Sequence, residues 1–285
     1  MESDLPTGSF KVRGALYSLS INLARHPIGR VVASSTGNHG AAVAYAARLL
    51  GVPARIFLPE RSNPVKRERI ARESAQIVER GRDIAEACEH ARRECRERND
   101  AFFLNDATDP DLPAATGLIG RELLEQNPRV EAVYVPVGDS ALIRGVAAAL
   151  KVAAPAVKII GVQAEQAPAY VRSWRSGNAE STDTCVTIAD GLATRTTVPA
   201  SVAAIRQLVD DFVLVSEREM LAAIEMLLLE EHVLAEPAGA AATAALLKSA
   251  ANRHAKNLTL LVSGANIAPD VLRQALSEPG SARRG

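Results

Sequence analysis

From residue 30 onward, short apolar runs alternate along the chain with longer segments of helical character. Short runs rich in Val, Ile, Leu and Ala are typical of buried strands, whereas longer segments with apolar residues at helical spacing are typical of amphipathic helices. The predicted strands span residues 31–34, 54–58, 75–78, 101–104, 132–137, 157–162, 212–215 and 258–262. The predicted helices span residues 39–50, 64–73, 83–98, 113–126, 140–153, 199–209, 217–231 and 238–249. The segment 175–187 shows neither pattern and is predicted to be irregular.

This alternation of strand and helix is typical of α/β proteins with parallel sheets. Open parallel sheets bind their ligands beyond the carboxyl ends of the strands. Residues that carry chemistry are therefore expected directly after the predicted strands.

Composition narrows the range of partners. The 33 basic and 33 acidic residues balance, so no net field attracts nucleic acid or an anionic membrane. The three cysteines, Cys88, Cys95 and Cys185, are too few for a disulfide framework and lack the spacing of a zinc site. The chain shows neither a signal-peptide pattern nor an apolar run long enough to span a membrane. These features predict a cytoplasmic protein whose partners are small molecules.

Four Gly-rich or polar stretches are the candidates for chemistry. They are TGSFKVRGA at 7–15, SSTGNHG at 34–40, VPVGDSALIRG at 135–145 and VSGAN at 262–266. The common dinucleotide, P-loop and zinc-protease motifs do not occur in the sequence.

Two of these stretches lie where a predicted strand gives way to a predicted helix, at 35–40 and 138–142. Backbone N–H groups at such a turn form an anion site, and two of them predict a ligand with two anionic ends or two separate ligands. Lys11 adds carbonyl chemistry, because a partly desolvated lysine loses its proton more easily and its amine forms a Schiff base.

Two further stretches, IADGLA at 188–193 and AEPAGAAATAAL at 235–246, complete a series of six. In order and approximate spacing the series resembles the threonine dehydratase and serine racemase family, the fold type II pyridoxal-phosphate enzymes. The resemblance implies two open parallel-sheet α/β domains of the tryptophan synthase β-like kind. Residues 30–106 would form the small domain, and 1–29 with 107–285 the large cofactor-binding one. The lysine motif begins earlier here than in the family, so the N-terminal segment is expected to be shortened.

The resemblance also implies the cofactor and the roles of the site residues. Pyridoxal 5'-phosphate would be held by Lys11 as a Schiff base. Its other contacts would be Phe10 on the ring, Asn38 at the phenolic oxygen, Ser263 at the pyridine nitrogen, and Gly138, Asp139, Ser140, Ala141 and Leu142 at the phosphate. The substrate would be bound by Ser35, Thr36, Gly37, Asn38 and His39, with Gly191 lining the pocket.

The reaction implied by this resemblance is elimination from a β-hydroxy amino acid, such as L-threonine or L-serine, to a 2-oxo acid and ammonia. Lys11 would take the Cα proton as general base. A serine hydroxyl at the pyridine nitrogen can donate to the unprotonated ring, whereas an aspartate would hold the ring protonated. Elimination is then favoured over a long-lived carbanion. The predicted protein is a homodimeric ammonia-lyase.

Three alternatives remain open. A dehydratase of hydroxyaspartate would use the same chemistry. A serine or threonine racemase would need an acid or base on the opposite face of the cofactor, where Thr36 places a hydroxyl. A non-catalytic homologue that binds pyridoxal phosphate without turnover is the alternative from another class.

Two departures from the family pattern concern ligands. The family usually has four glycines where this chain has Gly138, Asp139, Ser140 and Ala141. Ser140 would add a hydroxyl donor to the phosphate, whereas Asp139 must point away or repel it. Where related proteins with a divalent-cation site carry an acidic pair, this chain has Gln163 and Ala169, so no metal site is predicted.

Overall fold

The computed structural model describes residues 1–62, 64–248 and 256–277. Two compact units are present within this part of the chain. The larger unit contains residues 1–4, 8–10 and the chain from Thr116 onward, and the smaller unit contains residues 5–7 and 11–115. The boundary between them falls within one helix, Leu112–Gln126.

The smaller unit is built on a parallel sheet of four strands in the order β3-β2-β1-β4. The strands are β1 Arg30–Ser34, β2 Ala54–Leu58, β3 Gln76–Glu79 and β4 Ala101–Phe103. The helices are α1 Lys11–Arg25, α2 Asn38–Leu49, α3 Pro64–Ala71 and α4 Ile84–Glu97, and α5 Leu112–Gln126 follows. In register, Val31 lies beside Ala54 of β2 and Phe102 of β4. Because β1 and β4 are neighbours and parallel, the segments that follow them leave the same edge of the sheet.

The larger unit repeats this strand order as β7-β6-β5-β8, again with every pair parallel. Its strands are β5 Ala132–Pro136, β6 Lys158–Ala164, β7 Asp211–Val215 and β8 Leu258–Leu260. Its helices are α6 Ala141–Ala153, α7 Ala169–Ser176, α8 Pro199–Leu208, α9 Glu217–Leu229, α10 Pro237–Lys248 and α11 Pro269–Ser277.

Strand β5 shows why this sheet is apolar throughout. All five of its residues are buried. Its side chains alternate between two hydrophobic clusters, with Ala132 and Tyr134 in one and Val133 and Val135 in the other. Buried residues of α9 and α10 contribute to the first cluster, and those of α6 and α8 contribute to the second. A strand covered by helices on both faces must be apolar at every position.

The predicted α/β fold with two parallel sheets is confirmed. Three helices were not predicted: α1, α7 and α11. Helix α1 buries Gly14 and Ser18 beside Val12, Ala15 and Leu19, which weakens its apolar periodicity. A Cβ at Gly14 would lie 2.7 Å from Cδ2 of Leu112, so the small residue permits close packing there. The predicted helix 238–249 is α10, and residue 249 lies outside the described residues.

The smaller unit also includes residues 11–29 and 107–115, which the sequence-based division assigned to the large domain. None of the helices in the described ranges is both long and apolar enough to cross a bilayer. Cys88, Cys95 and Cys185 are free thiols.

Candidate active site

The segment directly before Lys11 is hydrogen-bonded to the segment after β8. Ser9 and Gly264 form an antiparallel bridge, and the N–H of Phe10 donates to the carbonyl of Ser263 at 3.1 Å. The N–H of Ala265 donates to the carbonyl of Gly8 at 2.9 Å. Within the larger unit, the backbone therefore brings together Phe10 and Ser263, two predicted site residues from opposite ends of the sequence.

Lys11 is the first residue of α1 and belongs to the smaller unit. Its Nζ donates to Oδ2 of Asp106 at 3.2 Å, and the side chains of Lys11 and Asp106 are 15% and 30% exposed. Burial by itself would raise the pKa of the Asp106 carboxyl, but the charges of Lys11 and His39, together with the hydrogen bonds that the carboxylate accepts, hold that pKa below its usual range. Asp106 is thus a carboxylate at neutral pH.

The loop between β1 and α2 carries the predicted substrate-binding residues. Ser35, Thr36 and Gly37 lie in the turn, and Asn38 and His39 are the first two residues of α2. The N–H of Gly37 donates to Oγ of Ser35 at 3.2 Å. A Cβ on Gly37 would find no described atom within 4 Å, so this turn is open.

His39 fixes the start of α2. Its side chain is buried, and its Nε2 lies 3.0 Å from the carbonyl oxygen of Leu104. Because a carbonyl oxygen can only accept, Nε2 carries a proton. The contact ties the start of α2 to the residue that follows β4.

The loop between β5 and α6 carries the predicted phosphate-binding residues. Ser140 has a left-handed backbone conformation with φ 77°. Its Oγ is buried, with no hydrogen-bond partner among the residues that the structure describes. The carboxylate of Asp139 does not point away from the helix, because its Oδ1 accepts the N–H of Ala141 at 2.9 Å. Ala141 and Leu142 are buried, and Leu142 packs in the hydrophobic cluster.

Gly138 and Gly191, which are distant in sequence, are packed against each other. A Cβ added to Gly138 would overlap the carbonyl oxygen of Gly191. Gly191 lies in the one-turn 3-10 helix Asp190–Leu192. The structure therefore places this predicted substrate-pocket residue directly beside the loop before α6.

The loop before α6 is held from its other side by β6 and α7. Nε2 of Gln163 donates to the carbonyl of Val137 at 3.3 Å, and Oε1 of Gln163 accepts the N–H of Val171 at 2.9 Å. The hydroxyl of Tyr170 donates to the carbonyl of Asp139 at 3.1 Å. Both polar groups of the Gln163 side chain are thus hydrogen-bonded to the backbone. Gln163 stands at one of the two positions where related proteins with a cation site carry an acidic residue. Among the described residues no group of three or more His, Cys, Asp or Glu side chains could hold a metal ion.

Two charged residues near these loops had no predicted role. Asp106 lies in the stretch LNDATD, which has no motif, and its contact with Lys11 joins positions 95 residues apart. Arg144 lies in the stretch VPVGDSALIRG, whose pattern predicts no role for its charge. It is half-buried, and burial lowers the pKa of its guanidinium, while nearby Tyr170 and Asp139 act in the opposite direction. Arg144 still remains protonated at neutral pH and compensates the charge of Asp139.

Taken unit by unit, the described residues provide two sets of groups. The smaller unit places the Lys11 amine, the Asp106 carboxylate and the His39 imidazole beyond the carboxyl ends of β1 and β4. The larger unit provides a helix N-terminus with an unpartnered hydroxyl, and the Phe10–Ser263 contact beyond β8. The first set can move protons, and the second can hold an anion and an apolar ring.

Comparison with known proteins gives a consistent result. A family model described as pyridoxal-phosphate dependent enzyme matches residues 1–264. The L-threonine ammonia-lyase of Thermotoga maritima is 38% identical over 279 residues, which are 98% of this chain and 69% of that protein. The L-threonine ammonia-lyase of Geobacter sulfurreducens is 38% identical over 261 residues, covering 92% of this chain and 65% of that protein. This chain thus spans about two thirds of each relative's length.

Among solved structures, maize serine racemase superposes with a TM-score of 0.90 at 30% identity. The match covers 97% of this chain and 85% of the racemase.

Proposed function

Because this chain belongs to the family of pyridoxal-phosphate dependent enzymes, we propose that it deaminates a β-hydroxy amino acid, with L-threonine as the first choice of substrate. The choice of threonine follows the names of the two ammonia-lyases to which the chain is similar. The products are a 2-oxo acid and ammonia. Pyridoxal phosphate is the cofactor.

The observation that carries this proposal is the hydrogen bond from Phe10 to Ser263. It brings the residue next to Lys11 to the segment after β8, which is where a ring held by Lys11 would need its nitrogen partner. In this assignment Phe10 packs on the ring, and the Ser263 hydroxyl donates to the ring nitrogen.

The described residues fit the phosphate of this cofactor. Ser140 keeps a buried hydroxyl at the N-terminus of α6 that has no partner in the described part of the chain. A helix N-terminus with an unused donor favours an anion. We assign Gly138, Asp139, Ser140, Ala141 and Leu142 to the phosphate, with the amides and the Ser140 hydroxyl as donors. In this assignment the Asn38 amide holds the phenolic oxygen.

When bound, pyridoxal phosphate would supply the electron withdrawal that makes the Cα proton of the substrate acidic. The Lys11 amine takes that proton. The turn Ser35, Thr36, Gly37, Asn38 and His39 binds the substrate carboxylate through its amides and hydroxyls, and the imidazole of His39 keeps this turn in place. We assign Gly191 to the lining of the substrate pocket through its backbone. The β-hydroxyl departs as water, and hydrolysis then releases ammonia.

Racemisation is the second candidate function, and the likeness to maize serine racemase favours it. It requires a proton to reach Cα from the face opposite Lys11, and Thr36 is the residue assigned to that role. The β-branch of threonine limits its hydroxyl to few rotamers, which makes elimination the favoured outcome. A dehydratase of hydroxyaspartate, another β-hydroxy amino acid, is a variant of the first proposal. We further propose that the enzyme acts as a homodimer in the cytoplasm, where its three thiols stay reduced.

The experiment is reduction of the cofactor-loaded protein with borohydride, followed by peptide mapping and product analysis. The label is expected on Lys11 and on none of the other five lysines. Lys11→Ala should lower release of 2-oxo acid from L-threonine by roughly a thousandfold or more, because base and carrier are lost together.

Lys158→Ala is the matched control, since Lys158 is 68% exposed and pairs with Asp210. It should keep both the Lys11 label and the activity. A label on another lysine with Lys11 unmodified contradicts the proposal. Chiral analysis of the same incubations decides between the two functions, because D-allothreonine, the Cα epimer of L-threonine, formed faster than oxo acid identifies a racemase.

A further inference from the structure

We infer that Asp106 is a positioning residue, whose carboxylate orients the side chain of Lys11 and stabilises the ammonium form of that lysine relative to the free amine. The inference deepens the proposed function and rests on it in one respect, namely that Lys11 is the cofactor-bearing lysine. The contact itself, between Nζ of Lys11 and Oδ2 of Asp106 at 3.2 Å, is independent of that assignment.

The position of Asp106 is fixed by the loop around it. Oδ1 of the preceding Asn105 accepts the N–H groups of Ala107 and Thr108 at 3.3 and 3.1 Å, and the hydroxyl of Thr108 at 2.8 Å. This is an Asx turn, which closes the backbone on either side of Asp106. The N–H of Leu104 donates to the carbonyl of Val32 at 2.9 Å, which extends the pairing with β1. A carboxylate held in this way can orient a flexible lysine side chain.

The acidic residues that follow β4 contact successive positions along α1. Asp106 pairs with Lys11 at the start of the helix. Further along, Oδ2 of Asp109 accepts the hydroxyl of Ser18 at 2.7 Å. Oδ2 of Asp111 accepts from Asn22 at 3.2 Å and from Arg25 at 3.4 Å. Asp109 and Asp111 are therefore engaged further along α1, whereas Asp106 contacts Lys11.

His39 is a second titratable group that acts on Asp106. It lies on α2, which packs against α1, and its charge acts on Asp106 in the same sense as that of Lys11. Its Nε2 is used by the carbonyl of Leu104. The three groups thus meet at one edge of the sheet of the smaller unit.

This pair has two chemical consequences. A Schiff base forms only from the unprotonated amine, and a neighbouring carboxylate favours the ammonium form, so Asp106 slows bond formation between Lys11 and the cofactor. When the amine has taken the Cα proton of a substrate, the nitrogen carries that proton as an ammonium ion, and Asp106 then stabilises the product of the transfer. The proton moves from Cα to Nζ, and Asp106 remains a carboxylate throughout.

The test measures the reactivity of the Lys11 amine directly in the full-length protein after removal of the cofactor. A brief pulse of acetic anhydride at several pH values is followed by mass spectrometry of the Lys11 and Lys151 peptides. At a fixed pH below the plateau, Lys11 in Asp106→Asn should acetylate roughly tenfold faster than in the wild type, because the charge that favours the ammonium is gone. Its reactivity profile should move to lower pH.

The chain contains a matched control pair. Nζ of Lys151 donates to Oδ2 of Asp210 at 2.7 Å, with side chains 21% and 25% exposed. Asp210→Asn should accelerate Lys151 and leave Lys11 unchanged, whereas Asp106→Asn should do the reverse. Asp106→Glu keeps the carboxylate and should return the Lys11 profile toward that of the wild type. An unchanged Lys11 profile in folded Asp106→Asn overturns the inference, as does an Asp106→Glu profile that matches Asp106→Asn.

A second readout uses the cofactor and separates this inference from the proposed function. In Asp106→Asn, pyridoxal phosphate should bond to Lys11 faster at neutral pH, and kcat for elimination should fall with little change in KM. If borohydride marks another lysine, the proposed function fails, while the acetylation result still decides whether Asp106 controls Lys11. Slower loading of Asp106→Asn, with Lys11 confirmed as the carrier, contradicts the positioning role.

Discussion

The sheets of the two units have the same strand order, yet the residues at their carboxyl edges differ in kind. In the smaller unit, β1 leads to the turn before α2 and the neighbouring β4 leads to Asp106. In the larger unit, β5 leads to the turn before α6 and the neighbouring β8 leads to Ser263. The edge of the smaller unit carries ionisable side chains, whereas the edge of the larger unit relies mainly on amides and hydroxyls. The proposed function thus assigns proton transfer to the edge of one unit and anion binding to the edge of the other, on the same scaffold.

The two turns also differ in how tightly they are packed. The turn before α2 is open, since a Cβ on Gly37 would meet no described atom within 4 Å. The turn before α6 is crowded, since a Cβ on Gly138 would overlap the carbonyl oxygen of Gly191. An open turn suits a substrate that enters and leaves, and a crowded one suits a cofactor that stays bound.

The largest effect expected from this comparison of the two turns comes from replacing Gly138 and, separately, Gly37 by alanine. Gly138→Ala should displace the loop from Gly191, weaken pyridoxal phosphate binding by roughly a hundredfold and lower the free energy of unfolding by about 1–3 kcal/mol. Gly37→Ala should change the free energy of unfolding by less than about 1 kcal/mol, because the added Cβ would meet no described atom within 4 Å. Urea unfolding and equilibrium dialysis with the cofactor measure both quantities.

The same pair of variants can contradict the comparison. If Gly37→Ala weakens cofactor binding as much as Gly138→Ala, the turns do not divide their tasks between substrate and cofactor. Loss of threonine turnover in Gly37→Ala with cofactor binding intact would instead sharpen the distinction.

Asp139 is the exception to the uncharged character of the edge in the larger unit. Its carboxylate already accepts the N–H of Ala141, which is one of the amides that a phosphate would use. Asp139→Asn keeps an acceptor for that amide and removes the negative charge, so pyridoxal phosphate should bind roughly tenfold more tightly. Cofactor titration monitored by protein fluorescence measures the change in Kd.

Asp83→Asn is the control for that substitution. Asp83 also accepts a helix N-terminal amide, that of Glu86 at 2.9 Å, but on α4 of the smaller unit. It should leave cofactor affinity unchanged. If Asp139→Asn binds the cofactor more weakly than the wild type, Asp139 supports the phosphate loop instead of opposing the phosphate.

The scaffold of both units could be predicted from the sequence because its strands are short apolar runs between clear breaks. Strand β2, for example, begins and ends as predicted, between Pro53 and Pro59. Helix α1 could not be predicted because Gly14 and Ser18 occupy its buried face, and they gain their places only through tertiary packing.

The site could be predicted where it depends on local motifs and not where it depends on distant contacts. The roles assigned to Lys11 and Ser263 came from short motifs and remain predictions. Asp106 could not be identified, because nothing in its loop shows that it will face Lys11. The direction of the Asp139 carboxylate depends on its side-chain rotamer and on nearby Arg144. The spacing of residues in the sequence predicts neither.

Substitution of Ser140 is expected to have the smallest effect on cofactor binding, and it tests a single hydroxyl at the edge of the larger unit. Oγ of Ser140 has no hydrogen-bond partner within the described part of the chain, so Ser140→Ala removes no bond and should hardly change the stability of the cofactor-free protein. If that hydroxyl serves the phosphate, the same variant should weaken cofactor binding about fivefold, which corresponds to about 1 kcal/mol.

Ser140→Gly should lose the same affinity, but it should also stabilise the cofactor-free protein by about 0.5–1 kcal/mol, because φ of 77° strains any residue except glycine. Ser201→Ala is the control, since Ser201 on α8 also has a buried hydroxyl without a described partner. Equal cofactor affinity in Ser140→Ala and Ser201→Ala would show that the hydroxyl at the N-terminus of α6 does not take part in binding, and the edge of the larger unit would then hold its ligand through amides alone.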